Sequence, residues 1–298
     1  MKKGKNKLCR EDRIYYAVSD TVITFIMLSV LYPVIYIVSA SFSSAQAVSS
    51  GQVVLWPVDF SLDGYKAVFE HRDIMTGYAN SIFYTVAGTF INVCMTMMAA
   101  YPLSRKDLEG RGFYTFFFTL TMFISGGMIP NYLLVKDLGM LNTRWSILIP
   151  SAISVYNMMV AKNFMQNSIP GELLEAAQMD GCSDTKYFFK IVLPLAKASI
   201  AVITLYYAVS NWNSYFSALL YIVDRNKIPL QLVLREVLVN NVIDSSMIVD
   251  PELMAQKEAL ANLLKYSLII VASLPMIILY PFIQKHFVKG VMVGSIKG

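Results

Sequence analysis

The chain has 298 residues, of which 56% are hydrophobic and only 15% charged, and its mean hydropathy is +0.51. Because soluble domains carry roughly a quarter charged residues, this composition excludes an ordinary soluble protein and indicates a membrane protein. The net charge of +5 comes from basic residues near the ends of apolar segments, which favours contact with an anionic lipid surface rather than with nucleic acid.

Apolar runs of about 20 residues, the length needed to cross roughly 30 Å of hydrocarbon, recur along the chain. The predicted spans are 15–41, 79–103, 113–135, 145–165, 198–222 and 264–284. This pattern predicts an all-α, polytopic membrane protein with six transmembrane helices. A cleavable signal peptide ending at Ala45-Gln46-Ala47 is an alternative for the first span, but the apolar stretch is too long for one.

The Lys and Arg residues are unevenly distributed among the segments that join the spans. An inside N-terminus places most of the 25 in the cytoplasm, including the basic N-terminal tail, Arg105 after the second span and Lys186 before the fifth. The positive-inside rule then predicts a multi-pass protein of the cell membrane with both termini in the cytoplasm. The long stretches 42–78 and 223–263 are extracytoplasmic in this topology, where a partner protein could reach them.

Residues for several kinds of chemistry are missing from the sequence. There are two histidines, His71 and His286, and three cysteines without metal-ligand spacing, so no metal site and no catalytic site is predicted. No GxxxxGK[ST] phosphate loop occurs, and the middles of the six spans lack the ionisable residues that ion-coupled carriers generally need. A transport function would therefore take its energy from a partner, and the chain itself needs no cofactor.

The third span is interrupted by the stretch Gly126-Gly127-Met-Ile-Pro130. Proline removes a backbone hydrogen bond and glycine loosens a helix, so a kink or break is predicted there. Such a break is compatible with simple packing and with a position beside a passage.

A polar segment, 168–194, separates the fourth span from the fifth and carries the signals of two short helices. Pro170 suits a first turn, and Gly181 can end the first helix in a left-handed conformation. The second helix is predicted to start at Ser183 or Asp184 and to bury Phe188, Phe189 and Ile191. Four residues of the first helix are predicted to share a shallow face that fits a groove on another protein: Leu173, Leu174, Ala176 and Ala177. A merely amphipathic connector is the alternative.

Uncharged polar residues recur at helical spacing in the fifth span. They are Tyr206, Ser210, Asn213, Ser214, Ser217 and Tyr221, and the fourth span adds Ser154 and Asn157. On one continuous helix this stripe could line a wet passage suited to a neutral polyol such as a sugar. It could equally serve close packing and hydrogen bonds between helices. The residues alone leave both possibilities open.

One motif and three stretches of sequence carry a resemblance to a known family. The motif Glu175-Ala176-Ala177, with Gly181 after it and Ile191-Val192-Leu193-Pro194 further on, resembles the EAA signature of ABC importer permeases. The stretches 100–113, 212–222 and 289–298 are similar to the MalG-like permeases of carbohydrate importers, and among those to an LplC-like subgroup. The resemblance covers nearly the whole chain and implies a MetI-like permease core.

The resemblance implies roles for particular residues. The first helix of 168–194 would dock in a groove of a cytoplasmic ATPase, where Glu175 would pair with a basic residue, the alanines would allow close approach and Gly181 would make the turn. The implied ATPase-coupling residues are Glu175, Ala176, Ala177, Asp180, Gly181, Ile191, Leu193 and Pro194. The sequence departs from the family at Cys182, where alanine is usual. The implied ATPase-contacting tail is Gly294, Ser295, Ile296, Lys297 and Gly298.

The implied assembly contains a second, different permease, two cytoplasmic ATPase subunits that bind the ATP, and an extracytoplasmic solute-binding protein, all at a lipid bilayer and without nucleic acid. The chain would form half of the passage for a carbohydrate, namely an oligosaccharide. The implied domains are 1–78 (tail, first helix and extracytoplasmic loop), 79–290 (a five-helix core that includes the coupling segment 168–194) and 291–298 (the tail). A non-conducting membrane scaffold or sensor that docks a cytoplasmic partner is the alternative function.

Overall fold

A computed structural model of the chain describes residues 9–239 and 251–295, which form helices and no strand. The helices are α1 Arg10–Ser41, α2 Ala45–Ser49, α3 Asp63–Glu70, α4 Arg72–Ser104, α5 Arg111–Phe123, α6 Met128–Asp137, α7 Trp145–Leu148, α8 Val155–Ser168, α9 Glu172–Met179, α10 Asp184–Tyr187, α11 Leu193–Leu195, α12 Lys197–Trp212, α13 Phe216–Tyr221, α14 Leu230–Val239 and α15 Pro251–Ser295. A π-helical turn, Phe188–Val192, follows α10, and a 3₁₀ turn, Arg225–Lys227, precedes α14. The all-α fold class is confirmed.

Three helices in the described ranges are long and apolar enough to cross a membrane: Glu11–Ser41, Arg72–Ser104 and Glu258–Pro281. Two bent pairs meet the same test together, α5 with α6 at 112° and Asp184–Leu195 with α12 at 80°. The described chain therefore holds three such helices, or five if each bent pair counts as one span. The fourth predicted span, 145–165, is not one continuous helix, because α7 ends at Leu148 and α8 begins at Val155. The number six stays a prediction.

The chain forms two compact units, of which the first contains the described residues 9–70 and 251–271. Most of α1 is exposed along its apolar length, as expected of a helix whose solvent is lipid. Its last turn begins a small core of Ala40, Ala47, Val48, Val53 and Leu263. The serines at this end bond to the backbone, since Ser39 Oγ donates to the Leu55 carbonyl at 2.6 Å and Ser43 Oγ accepts from the Val58 amide at 3.0 Å.

The second unit contains residues 71–239 and the described residues 272–295, and α4 is its central helix. The 33-residue α4 packs against α12, α8 and α14. Its contact with α12 is close at Gly88, where a Cβ atom would lie 2.9 Å from Nδ2 of Asn211. Asn211 Nδ2 donates to Asn92 Oδ1 at 2.9 Å, so the small residue admits a hydrogen bond between the two apolar helices.

The predicted break in the third span is confirmed. Helix α5 ends at Phe123, and α6 starts at Met128 after Gly127, whose φ is +86°. Pro130 falls in the first turn of α6, where the missing amide hydrogen costs nothing because first-turn amides have no partner within the helix.

The interruption between α7 and α8 is held by polar side chains from neighbouring helices. Asn92 of α4 donates from Nδ2 to the Ser151 carbonyl, and the Ser154 amide donates to the Tyr207 hydroxyl of α12 at 2.9 Å. The same hydroxyl shares a 2.6 Å hydrogen bond with Thr96 Oγ1. A non-helical stretch in an apolar setting requires such partners, because each unpaired backbone group there costs several kcal/mol, on the order of 2–7.

The fifth predicted span is also interrupted. Helix α12 ends at Trp212, Asn213 caps it, and α13 starts only at Phe216. The single continuous helix assumed for the polar stripe is therefore wrong. The Asn213 side chain bonds the Val209 carbonyl of the preceding turn at 2.9 Å, and an asparagine that satisfies a carbonyl in this way favours a helix end over continuation.

The segment from Tyr221 to Leu230 is fastened to other parts of the second unit through asparagine side chains. Asn80 of α4 donates to the carbonyls of Asn226 and Ile228, at 2.8 and 3.1 Å. Asn142 has a left-handed φ of +56°, and its Oδ1 accepts from the amides of Val223 and Asp224 at 3.1 and 2.9 Å. These bonds hold a segment whose only regular structure is the short 3₁₀ turn Arg225–Lys227.

We expect Asn142→Ala to lower the stability of the protein more than Asn142→Gly. Both changes remove the two side-chain hydrogen bonds, but alanine in a left-handed conformation costs a further ~1–2 kcal/mol, which glycine avoids. Thermal unfolding of the purified protein in detergent measures the difference. Equal melting temperatures for the two variants would show that the backbone conformation of Asn142 is not constrained.

Candidate functional site

The coupling segment predicted at 168–194 folds as two short helices joined by a tight turn. Helix α9 follows Pro170 and Gly171, and Glu172 and Glu175 lie in its first turn, where carboxylates oppose the helix dipole favourably. Helix α10 begins after Ser183, whose hydroxyl accepts from the Lys186 amide. The predicted start of the second helix is confirmed.

The predicted left-handed end at Gly181 is also confirmed. Gly181 has φ +69°, its amide donates to the Gln178 carbonyl at 3.0 Å, and the Cys182 amide donates to the Ala177 carbonyl at 2.9 Å. This pair of bonds is a Schellman motif, which satisfies the last carbonyls of α9. A Cβ atom at Gly181 would meet no heavy atom within 4 Å, so the requirement for glycine comes from the backbone and not from crowding.

The predicted face of Leu173, Leu174, Ala176 and Ala177 is wrong. Ala177 is buried and Leu174 packs partly buried beside it, whereas Leu173 and Ala176 are exposed. Leu174 and Ala177, three positions apart, therefore face inward, while Leu173 and Ala176 lie at the exposed edge of the helix. Glu175, Asp180 and Gly181 are exposed with the second pair, and Met179 is 89% exposed.

The inner face of this segment packs against the rest of the second unit. Ala177, Tyr187, Phe188 and Val192 belong to one buried cluster that also includes residues of α4, α8 and α12, among them Met97, Ala161, Met165 and Ile203. Ile191 and Leu193 lie partly buried against this cluster, and Pro194 is exposed. The predicted burial of Phe189 is wrong, since that ring is 58% exposed and follows Phe188 on the outer side of the π turn.

One residue that anchors this segment was not singled out as a site residue from the sequence. Arg105, directly after α4, forms ion pairs with Asp107 and with Asp184 of α10, and its Nη1 donates to the Tyr101 hydroxyl at 3.2 Å. Its hydrogen bonds to Asp107 raise the pKa of Arg105, despite the opposing effect of burial, and the same contact lowers the pKa of Asp107. The sequence signal, an Arg two residues before an Asp, is too common to point to a partner 79 positions away.

The residues predicted to line a passage do not form one surface. Tyr206, Ser210 and Asn213 are exposed, Ser214 and Ser217 are partly exposed, and Tyr221 is buried. Ser154 caps α8, with its hydroxyl 3.5 Å from the Asn157 amide, and the Asn157 side chain is buried. Trp212 is 2% exposed and donates from Nε1 to the Ala272 carbonyl at 3.0 Å. Tyr206, Ser210 and Asn213 therefore remain as the part of the stripe that another molecule can reach.

The predicted tail lies at the limit of the described chain. Gly294 and Ser295 end α15, whereas Ile296, Lys297 and Gly298 lie outside the described residues. Within the ranges that the structure describes, no three His, Cys, Asp or Glu side chains are arranged to hold a metal ion.

Comparison with known proteins identifies the class of molecule. Residues 74–293 match the family described as binding-protein-dependent transport system inner membrane component. The chain is 43% identical over 275 residues to the polygalacturonan/rhamnogalacturonan transport system permease protein YtcP of Bacillus subtilis (strain 168). The aligned residues cover 92% of this chain and 94% of that protein. It is 40% identical over 268 residues to Protein LplC of the same organism, with 90% of each chain covered.

A solved structure agrees with these relatives. In the crystal structure of a bacterial ABC transporter involved in the import of the acidic polysaccharide alginate, one chain superposes with a TM-score of 0.85 at 37% identity, covering 95% of this chain and 100% of that chain. The molecule is a membrane permease subunit of a transport system and not an enzyme. The chain belongs to the binding-protein-dependent transport system inner membrane component family.

We expect Gly181→Val to uncouple ATP hydrolysis from transport, because a β-branched residue is strained at positive φ and would unwind the Schellman end of α9. Gly171→Val is the matched control, since Gly171 borders the same helix at a negative φ with open space around it. Transport and ATP hydrolysis by the assembled complex in vesicles are the measurements. Normal coupling in Gly181→Val would contradict the assignment of this turn to the dock.

Proposed function

We propose that the chain is one of two different permease subunits of an ATP-driven importer for an acidic oligosaccharide. Two cytoplasmic ATPase subunits would bind the ATP, and an extracytoplasmic solute-binding protein would deliver the sugar. Both termini would lie in the cytoplasm. The observation that carries this proposal is the two-sided coupling segment, which is buried on one face against α4, α8 and α12 and exposed on the other at the EAA motif.

The exposed face of α9 is suited to docking an ATPase. Leu173, Ala176 and Met179 offer apolar surface, and Glu175 and Asp180 offer carboxylates beside it. A small residue at the centre allows a partner helix or groove to approach closely, while Glu175 selects a basic partner. Because Ala177 is packed inside the permease, a displacement of α9 would move the buried cluster with it. The tail, Gly294 to Gly298, is proposed as a second contact with the ATPases.

The similarity to YtcP and to the alginate transporter supports an acidic sugar as cargo. The first belongs to a transport system for polygalacturonan and rhamnogalacturonan, which contain galacturonic acid, and the second imports the acidic polysaccharide alginate. The exposed stripe residues Tyr206, Ser210 and Asn213 carry no charge but can still bind carboxylates, because hydroxyl groups and amide NH₂ groups donate hydrogen bonds to them. Neutral donors hold an anion weakly enough to release it, which a passage requires.

The test of this function is uptake by the complete complex reconstituted in vesicles with its solute-binding protein. We expect ATP-dependent uptake of labelled oligogalacturonate, with unlabelled acidic oligosaccharides competing about tenfold better than neutral ones of equal length, a ratio that corresponds to about 1.4 kcal/mol. Equal competition by neutral sugars would contradict the acidic cargo. Assembly with the ATPases but no uptake of any sugar would favour a non-conducting scaffold.

We further propose that the exposed part of the stripe, Tyr206, Ser210 and Asn213, borders the passage. In a chain whose three native cysteines are replaced by serine, Ser210→Cys and Asn213→Cys are expected to react with a water-soluble thiol reagent at rates that change when ATP is added. Ala208→Cys, a buried small residue of the same helix, is the inert control. Uniformly inert stripe positions would favour the packing role instead.

A further inference from the structure

We propose that Arg105 is a positioning residue that ties the ATPase dock to α4, so that movement of α9 and α10 is transmitted to that helix. The inference rests on the proposed function. It concerns the link between the dock and the spans, whereas the EAA motif concerns the link between the dock and the ATPase.

Arg105 contacts both α4 and α10. Its backbone continues from α4, with its amide bonded to the Pro102 carbonyl at 3.1 Å, and its Nη1 reaches back to the Tyr101 hydroxyl. The same guanidinium pairs with Asp184, the first residue of α10 and three positions after Gly181. The end of α4 and the start of α10 are therefore joined through one side chain.

Asp107 holds the guanidinium in this orientation. Arg105 Nε donates to Asp107 Oδ1 at 2.9 Å while Nη2 donates to the other carboxylate oxygen, which is a two-pronged contact that leaves Nη1 directed at Asp184. The Arg105 side chain is only 14% exposed, with its guanidinium 5.9 Å from the centroid of the Tyr101 ring. A lysine has one ammonium group and could not make these contacts together.

Apolar contacts lie beside this ion pair and border an open groove. Tyr101 lies 4.9 Å from Phe188, centroid to centroid, and the groove, of about 220 Å³, is lined by Met98, Tyr101, Asp184, Thr185, Phe188 and Phe189. Close packing alone would transmit movement, since packed interiors deform little. The Arg105–Asp184 ion pair adds a directed polar link to this apolar contact, between the end of α4 and the start of α10.

Helix α4 is the element best placed to carry the movement onward. It runs for 33 residues, about 50 Å at 1.5 Å per residue, and it packs against both α8 and α12. Nearer its other end, Asn80 and Tyr84 bond the carbonyls of the segment Asn226–Ile228. A helix held in both halves of its length moves as one body.

The tie is expected to affect coupling without affecting folding. The Asp107 and Asp184 side chains are 54% and 67% exposed, and ion pairs with exposed carboxylates contribute little to stability. We therefore expect complexes with Arg105→Gln or Asp184→Asn to assemble and to hydrolyse ATP. The amount of sugar imported per ATP hydrolysed should fall by about fivefold or more. The double variant should import as much sugar per ATP as the more affected single variant, because both changes break the same contact between Arg105 and Asp184. Arg105→Lys should import more sugar per ATP than Arg105→Gln but less than the wild type.

The controls are Lys106→Gln and Glu109→Gln, which remove one charge of each sign from exposed positions of the same turn. Both should keep the wild-type ratio of sugar imported to ATP hydrolysed. If Arg105→Gln does not assemble, Asp184→Asn, which leaves the Arg105–Asp107 pair in place, decides the matter. A wild-type ratio in Asp184→Asn, or losses that simply multiply in the double variant, would overturn this inference. If wild-type complexes import no sugar, the proposed function fails instead.

Discussion

The second unit depends on one constraint, that backbone groups in an apolar setting must have hydrogen-bond partners. Three of its predicted spans are interrupted, and the interruption before α8 is possible because Asn92 and Tyr207 supply a donor and an acceptor for it. The same side chains join α4 to α12, through Asn211 and Thr96. The polar groups that permit the break in one helix therefore also fix how two others pack.

The parts of the structure that follow from local chemistry could be predicted from the sequence. Gly181 ends α9 and Gly126-Gly127 separates α5 from α6, because a left-handed or loosened backbone favours glycine whatever surrounds it. Composition and the length of apolar runs were enough for the all-helical class. The EAA motif led to the family because its residues are contiguous and the family keeps their spacing.

The parts that depend on distant partners could not be predicted. The stripe from Tyr206 to Tyr221 was based on a continuous helix, and nothing local distinguishes an asparagine within a helix from one that ends it, as Asn213 does. Asn92 and Thr96 were not singled out, because a polar residue in an apolar run reveals burial but not its partner. The tie between Arg105 and Asp184 joins residues 79 positions apart.

The exposure of Met179 has a consequence for how the subunit is produced. A methionine that is 89% exposed at the end of α9 leaves apolar surface in water, at a cost of about 1.5–3 kcal/mol relative to a buried side chain. In the proposed orientation that surface faces the cytosol until an ATPase covers it. Copies synthesised in excess of their partners would thus keep this apolar surface exposed, whereas assembled copies would have it covered. Proteases and chaperones that recognise exposed apolar residues could use this surface to keep subunit numbers matched.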